Sequence, residues 1–269
     1  MSRLDEGRAR LLAAARRAAT ETAASRVSLR DIAKAAGLSP AACYRYFPSR
    51  ERLADALAVE VCAEIVAAAL RAAFPKAVVE VEHDLLGAAR AACGRSAGVA
   101  CILGTGSNSC YFDGKKILDN VPSLGWLLGD EGSGTHLGKA LLRAKFYREL
   151  PADLNTAFDE AYPEGMDAIK DRIYEKGANA YLATFTRFLG DHLQHPFVQD
   201  LVASCLGEFL DRQAGKYSGV QYVPLHFVGS IAYHFQSVLA RCMEERKLKM
   251  GNIVRKPIYS LADYHKVTE

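Results

Sequence analysis

Three stretches of this chain carry residue types whose order could do chemistry. Gly104-Thr105-Gly106-Ser107-Asn108 follows the apolar run Val99-Ala100-Cys101-Ile102-Leu103. Glycines let a backbone come close to a ligand and aim its amides at a phosphate, and Thr105 and Ser107 would add hydroxyl donors. A tight β-turn explains the same residues equally well. The second stretch, Gly129-Asp130-Glu131-Gly132-Ser133-Gly134, opens a predicted helix over Thr135 to Tyr147. The third, Ser39-Pro40-Ala41-Ala42-Cys43-Tyr44-Arg45-Tyr46, is of another kind. Its small residues at the front would let a helix end approach base edges in a major groove. Tyr44, Arg45 and Tyr46 then offer phenols and a guanidinium to phosphates or bases.

The elements that must position the third stretch are strongly signalled. A first helix is predicted from about Leu4 to Ala24, with Leu4, Leu11, Leu12, Ala15 and Ala19 on one face. Ser28 with Asp31 three residues on makes a capping-box-like start, and Val27 and Ile32 are placed for a hydrophobic staple. That helix runs to Ala36 and stops at Gly37, a left-handed cap. Ser39-Pro40 then opens the next helix at once, Ser39 to Phe47, as N-cap and first helical residue. Two short helices around a turn containing glycine form a helix-turn-helix. A further helix from Ser49 carries Arg50 and Arg52 toward the same side.

From about Phe74 the pattern changes to strands, glycines and hairpins. Val78-Val79-Glu80-Val81 reads as a short strand, and a helix follows from Asp84. Val99–Leu103 has the length of a buried strand. Ser109–Phe112 reads as its return, with Asp113-Gly114 as a hairpin turn. Leu225–Val228 is another strand, running into Gly229-Ser230 and a helix. Residues 150–213 show helical spacing throughout and read as an all-α insertion. His192, His195 and His226 have no ligand spacing with carboxylates and read as structural or exposed. Arg246-Lys247-x-Lys249 reads as a solvated helix end.

Val27 to Ala33, Gly37-Leu38-Ser39, Tyr44-Arg45-Tyr46-Phe47 and Ser49-x-Glu51-x-Leu53 together resemble the N-terminal domain of TetR-family regulators over about 50 residues. The resemblance implies that Arg30 and Tyr44 touch phosphates and that Ser39 to Arg45, including Pro40, Ala41 and Ala42, read bases. It also implies double-stranded DNA as partner and a homodimer as the working form.

The later motifs resemble the superfamily of sugar kinases, actin and heat-shock ATPases. Within it they are similar to BadF-type ATPases and N-acetylglucosamine kinase-like proteins, over roughly residues 74–265. The similarity is closest from Glu82-His83-Asp84-Leu85 to Gly106-Ser107-Asn108 and over Leu128 to Gly134. It implies that Gly104, Thr105, Gly106 and Ser107 form the second phosphate loop, and that Gly229 and Ser230 border an adenosine. It also implies Asp84 as the base on a sugar hydroxyl, with Asn108 and Asp130 contacting an amino sugar. ATP and Mg²⁺ follow as cofactors by resemblance alone. From its sequence position, Asp84 is equally a helix N-cap.

Such kinases close two lobes on ATP, and the front lobe supplies a first phosphate loop of the form Asp-x-Gly-x-Thr. Here the nearest string is Asp130-Glu131-Gly132-Ser133, which belongs to the later motif. The expected fold class is therefore an all-α helix-turn-helix bundle over 1–60, a junction with an orphan strand and helix over 61–95, and an α/β actin-like ATPase lobe over 96–269.

Composition agrees with two soluble parts. The 269 residues are 50% hydrophobic and 24% charged, without an 18-residue apolar run or an apolar leader at the N-terminus, so a cytoplasmic, non-membrane protein is expected. Seven cysteines without a Cys-x-x-Cys pair suggest reduced thiols and no metal site. Residues 1–58 hold eleven Lys/Arg, ten of them arginine, against six Asp/Glu, so this segment is +5 and the remainder −2. A basic front block fits a polyanionic partner. Three readings follow: a DNA-binding regulator with a sugar- or nucleotide-sensing rear, an amino-sugar kinase or related ATPase, and a chimera with neither full activity. Helix-turn-helix heads on sugar-kinase folds have a precedent in ROK-type repressors, by analogy only.

Overall fold

The computed structural model describes residues 3–21 and 28–266, in two compact units that divide between Val81 and Glu82. The front unit is four helices: α1 (Arg3–Glu21), α2 (Leu29–Ala35), α3 (Pro40–Tyr46) and α4 (Arg50–Ala73). The local signals account for each. The Ser28 hydroxyl accepts the Asp31 amide and the Asp31 carboxylate accepts the Ser28 amide, both at 3.2 Å, which closes the capping box. Gly37 takes φ +66°, and the Leu38 amide reaches back to the Ala33 carbonyl at 2.9 Å, so the last carbonyls of α2 are satisfied. Ser39 caps α3 by accepting the Ala42 amide, and Ser49 caps α4. Leu11, Leu12, Leu29, Ile32, Cys43, Phe47 and Leu53 form one core. Val27 and residues 22–24 of the expected first helix lie outside the described residues, as do the side chains of Leu4 and Ala19.

The rear unit begins with α5 (Asp84–Cys93), then β1 (Gly98–Leu103), β2 (Ser107–Phe112) and β3 (Ile117–Asp119). After α6 (Gly125–Leu128) and α7 (Gly134–Phe146) comes a run of helices. These are α8 (Ala152–Ala161), α9 (Gly165–Ile173), α10 (Ala178–Thr184), α11 (Thr186–Asp191) and α12 (Pro196–Arg212), the expected insertion. The chain returns through β4 (Pro224–Val228), α13 (Ser230–His234), α14 (Gln236–Glu245), β5 (Lys249–Val254) and α15 (Pro257–Lys266).

The sheet order is β3-β2-β1-β4-β5, with β1–β2 and β2–β3 antiparallel and β1–β4 and β4–β5 parallel. The period of two decides its faces. Val99, Cys101 and Leu103 point into the large core made with α7, α12 and α14, while Ala100 and Ile102 meet Leu85, Ala88 and Ala89 of α5. The hairpin at Asp113 forms as its sequence requires, the carboxylate accepting the Lys115 and Lys116 amides at 2.8 and 2.7 Å.

Two expectations are corrected. Residues 78–81 form no strand: the stretch is irregular and Val78 is 91% exposed, because a strand needs a neighbour's backbone and no strand of the sheet pairs with it. The basic cluster at 246–249 is no mere solvated helix end. Arg246 grips both oxygens of Asp211 at 2.8 Å and also donates to the Cys242 carbonyl, tying α14 to α12, while Lys249 opens β5.

Candidate functional site

In the front unit the candidate site is one surface of α3. Ser39, Pro40, Ala41, Tyr44 and Arg45 are exposed, Ala42 is half-buried, and Arg30 is exposed on α2. Residues 40, 41, 44 and 45 recur at helical spacing and so share a face. Two neighbours behave differently. Cys43, expected among the small residues at the front of the helix, is fully buried in the core, since it falls on the opposite face. Tyr46 packs half-buried against that core, its ring lying where a side chain at Gly7 would have to go. A residue no pattern signalled also shapes the surface. Arg10 of α1 donates to the Ala36 carbonyl at 2.6 Å and so clamps the turn between α2 and α3. One cation of the basic block is thereby used in structure.

In the rear unit the glycine loop, the Gly129–Gly134 turn and Gly229 meet at one end of β1 and β4. β1 ends at Leu103, and the loop 104–106 leads into β2. α7 holds this loop: the Gly134 amide donates to the Gly104 carbonyl at 2.8 Å, and the Thr135 amide and hydroxyl donate to the Thr105 carbonyl at 3.1 and 2.7 Å. The loop's carbonyls are thus engaged, while among the described residues the Thr105 and Gly106 amides have no protein acceptor. The Ser107 hydroxyl is buried and unpartnered. Two free amides and a free hydroxyl in a glycine turn are the donors that an anion-binding loop would use, although the Asp130 carboxylate stands directly beside Gly106.

Gly229 meets this loop from β4. Its φ is +123°, and a Cβ there would run into the Leu103 carbonyl oxygen, so only glycine lets the two strand ends touch. Ser230 follows and lines a cleft of about 390 Å³ with Thr186, Arg187 and Asp191 of the helical insertion. These last three are invisible to motif reading, because they come from a distant helix. Asp84 is the first residue of α5. α5 packs along the face of β1 and is joined to its start by residues 94–97, so helix and strand run in opposite directions. The N-cap is His83, whose Nδ1 accepts the Leu86 amide at 3.3 Å, so Asp84 is not the cap and its carboxylate is exposed.

The two expected sugar contacts are held by neighbours. Asp130 is buried with φ +56° and accepts the Ser123 hydroxyl at 3.1 Å and the Ser107 amide at 3.4 Å. It thereby links the loop to the Gly129–Gly134 turn. The Asn108 side-chain oxygen accepts the Ser109 amide at 2.9 Å and the Asn120 side-chain amide at 3.1 Å. Behind them, Ser109 and Tyr217 share a hydrogen bond of 2.8 Å, and burial pushes the Tyr217 phenol up to about 12. Close by, Lys139 donates to the Trp126 carbonyl at 2.5 Å, and burial lowers its ammonium. Glu131 leaves one carboxylate oxygen buried without a partner. Among the described residues no group of three His, Cys, Asp or Glu could enclose a metal ion, and no helix is long and apolar enough to cross a membrane.

Comparison with known proteins divides along the same line. Residues 11–57 match the family of bacterial regulatory proteins, tetR family. Two solved structures, each described as a "Putative N-acetylglucosamine Kinase", share the rear fold. The protein from Porphyromonas gingivalis is 41% identical, with a TM-score of 0.73, over 77% of this chain and 73% of its own. The one from Chromobacterium violaceum is 18% identical, with a TM-score of 0.53, over 67% of this chain and 64% of its own, a likeness of fold alone. A search of curated proteins gave no match. The chain thus belongs to the N-acetylglucosamine kinase-like family, with a TetR-type helix-turn-helix head in front.

Proposed function

We propose that this chain is a sequence-specific DNA-binding regulator whose rear unit binds an amino sugar or a nucleotide as effector. The observation that carries the reading is the exposed face of α3, where Ser39, Pro40, Ala41, Tyr44 and Arg45 stand clear of a core sealed by Cys43 and Phe47. A capped helix presenting small residues first and a guanidinium one turn later suits major-groove entry, with Arg30 positioning the head on phosphates. Selection from a random duplex library, followed by fluorescence anisotropy, tests it. Enrichment of a two-fold site whose affinity falls steeply with salt is expected. Binding that shows no sequence preference would overturn the reading.

A second reading, ATP-dependent phosphorylation of an amino sugar, is favoured by the meeting of the 104–107 loop, the Gly129–Gly134 turn and Gly229-Ser230 at one end of β1 and β4. The residues fit one side of a nucleotide: Thr105, Gly106 and Ser107 would cradle a phosphate, and Ser230 would border the adenosine. Mg²⁺ would be held largely through phosphate oxygens and water, as is usual for this ion. It would neutralise charge on the transferring group, while Asp84 would accept the sugar hydroxyl's proton. Transfer also needs a clamp from the opposite side, and this sequence contains no Asp-x-Gly-x-Thr string. Binding without efficient turnover is therefore the expected behaviour. A coupled assay with ATP, Mg²⁺ and N-acetylglucosamine decides it: robust turnover that Asp84→Asn abolishes would establish the kinase. Loss of both DNA selectivity and ligand binding would leave a fusion with neither activity.

A further inference from the structure

The front unit uses only one side of α4. This helix of 24 residues is about 36 Å long, far longer than the three-helix core it closes. Leu53, Leu57, Glu64 and Ala67 recur at helical spacing on the side turned to α1: Leu53 and Ala67 are buried, and Glu64 pairs with Arg16 of α1 at 2.5 Å. Half a turn away the helix is apolar and bare. Val59 is 70% exposed, Ile65 62%, Val66 49% and Leu70 40%, and Phe74 continues the run at 60%.

Spacing gives that face a form. Val59, Cys62, Val66, Ala69 and Ala73 alternate in steps of three and four, as in the a and d positions of a heptad. The flanking positions, Ala63, Ile65, Leu70 and Ala72, are uncharged as well. The charges from Glu60 onward (Glu60, Glu64, Arg71) all fall on the side facing α1. The exposed apolar area is on the order of 500 Å² per chain, or about 1,000 Å² in a pair, the size at which an interface holds.

We propose that this face of α4 is the seam of a parallel, two-stranded coiled coil through which a second copy of the chain pairs. β-branched Val59 and Val66 at the a positions suit two strands rather than three or four. Parallel pairing leaves both heads at the same end, where two recognition helices can address the two halves of one site. An antiparallel pair would send them to opposite ends. Among the described cysteines Cys62 alone is exposed, and it sits at a d position facing the two-fold axis. Parallel pairing brings it against its counterpart, within reach of a disulfide. The biological purpose rests on the regulator reading, but the pairing is measured without DNA.

Light scattering on the full chain is expected to give twice the 29.3 kDa chain mass, and Val66→Glu, which places two carboxylates face to face on the seam, to weaken the pair on the order of a hundredfold or more. Position 66 is half exposed, so the monomer should keep its helicity by circular dichroism; Val59→Lys provides an independent second break. Diamide should link the wild type covalently, two thiols giving up their hydrogens to the azo group as one S–S bond forms. Cys62→Ser should abolish the link and leave the dimer intact. A monomeric wild type overturns the proposal, as does a dimer indifferent to Val66→Glu and Val59→Lys. A dimer that diamide cannot link overturns the parallel register. Selective DNA binding by a Val66→Glu monomer would instead sink the regulator's need for a pair while leaving the seam standing.

Discussion

The front unit keeps its candidate interface within one stretch of chain, Arg30 to Tyr46, whereas the rear unit assembles its own from Gly104–Asn108, Ser123, Asp130, Arg187 and Gly229-Ser230. The first depends on caps and a single turn, the second on a sheet that brings β4 beside β1 across more than a hundred residues of intervening chain. The two should therefore fail differently. Damage to the head should be local and modest in stability but direct in recognition. Damage at the sheet edge should unfold the unit that carries the site.

The largest effect is expected from Gly229→Ala. Its left-handed φ and the Leu103 carbonyl leave no room for a methyl group, so the rear unit should lose about 3 kcal/mol. The only tryptophan, Trp126, lies in the rear unit and reports it. Urea unfolding followed by its fluorescence should shift strongly while head binding to DNA stays near wild type. Equal loss in both units would break the contrast. Next comes Arg45→Ala, which should cost about 1–3 kcal/mol of DNA affinity, roughly ten- to a hundredfold, and leave the tryptophan transition in place. Unchanged affinity would mean that another helix reads the DNA. Ser39→Ala removes only the acceptor for the Ala42 amide, and a loss of about 1 kcal/mol in head stability is expected by circular dichroism.

The smallest effect is a pH dependence confined to one unit. Burial lowers the imidazoles of His136 and His226, so the folded rear unit prefers them neutral. Below the ordinary value near 6.5 the unfolded chain binds more protons than the folded one, so stability falls with falling pH until the folded groups also protonate. Residues 1–81 contain no histidine. Between pH 7 and 5 the Trp126 melting temperature should drop by a few degrees, and His226→Asn should flatten part of that slope. An equal slope in the head would point to a cause other than these two groups.

Much of the head could be read directly. Ser28, Gly37, Ser39 and Ser49 act on amides and carbonyls within four or five residues, so their effect is written in local order. Reading stopped at orientation: Cys43 and Tyr46 look like their neighbours in sequence, and only packing against α1 turns them inward. In the rear unit the glycine loops, the hairpin and the helical insertion were legible as elements. The strand expected at 78–81 was not to be had, because β-branched residues favour a strand only where a partner strand supplies hydrogen bonds. Arg246 misled in the same way, its role being set by Asp211, 35 residues earlier and on another helix.

By itself, then, the sequence determined the caps, the turns and the apolar run of β1, since each follows from interactions within a turn or two of chain. Tertiary structure alone decided that Gly229 meets Leu103 and that Thr135 closes the glycine loop. Such contacts depend on which strands lie side by side and which helix end covers them. That choice is made by burying one shared core, and no local pattern records it.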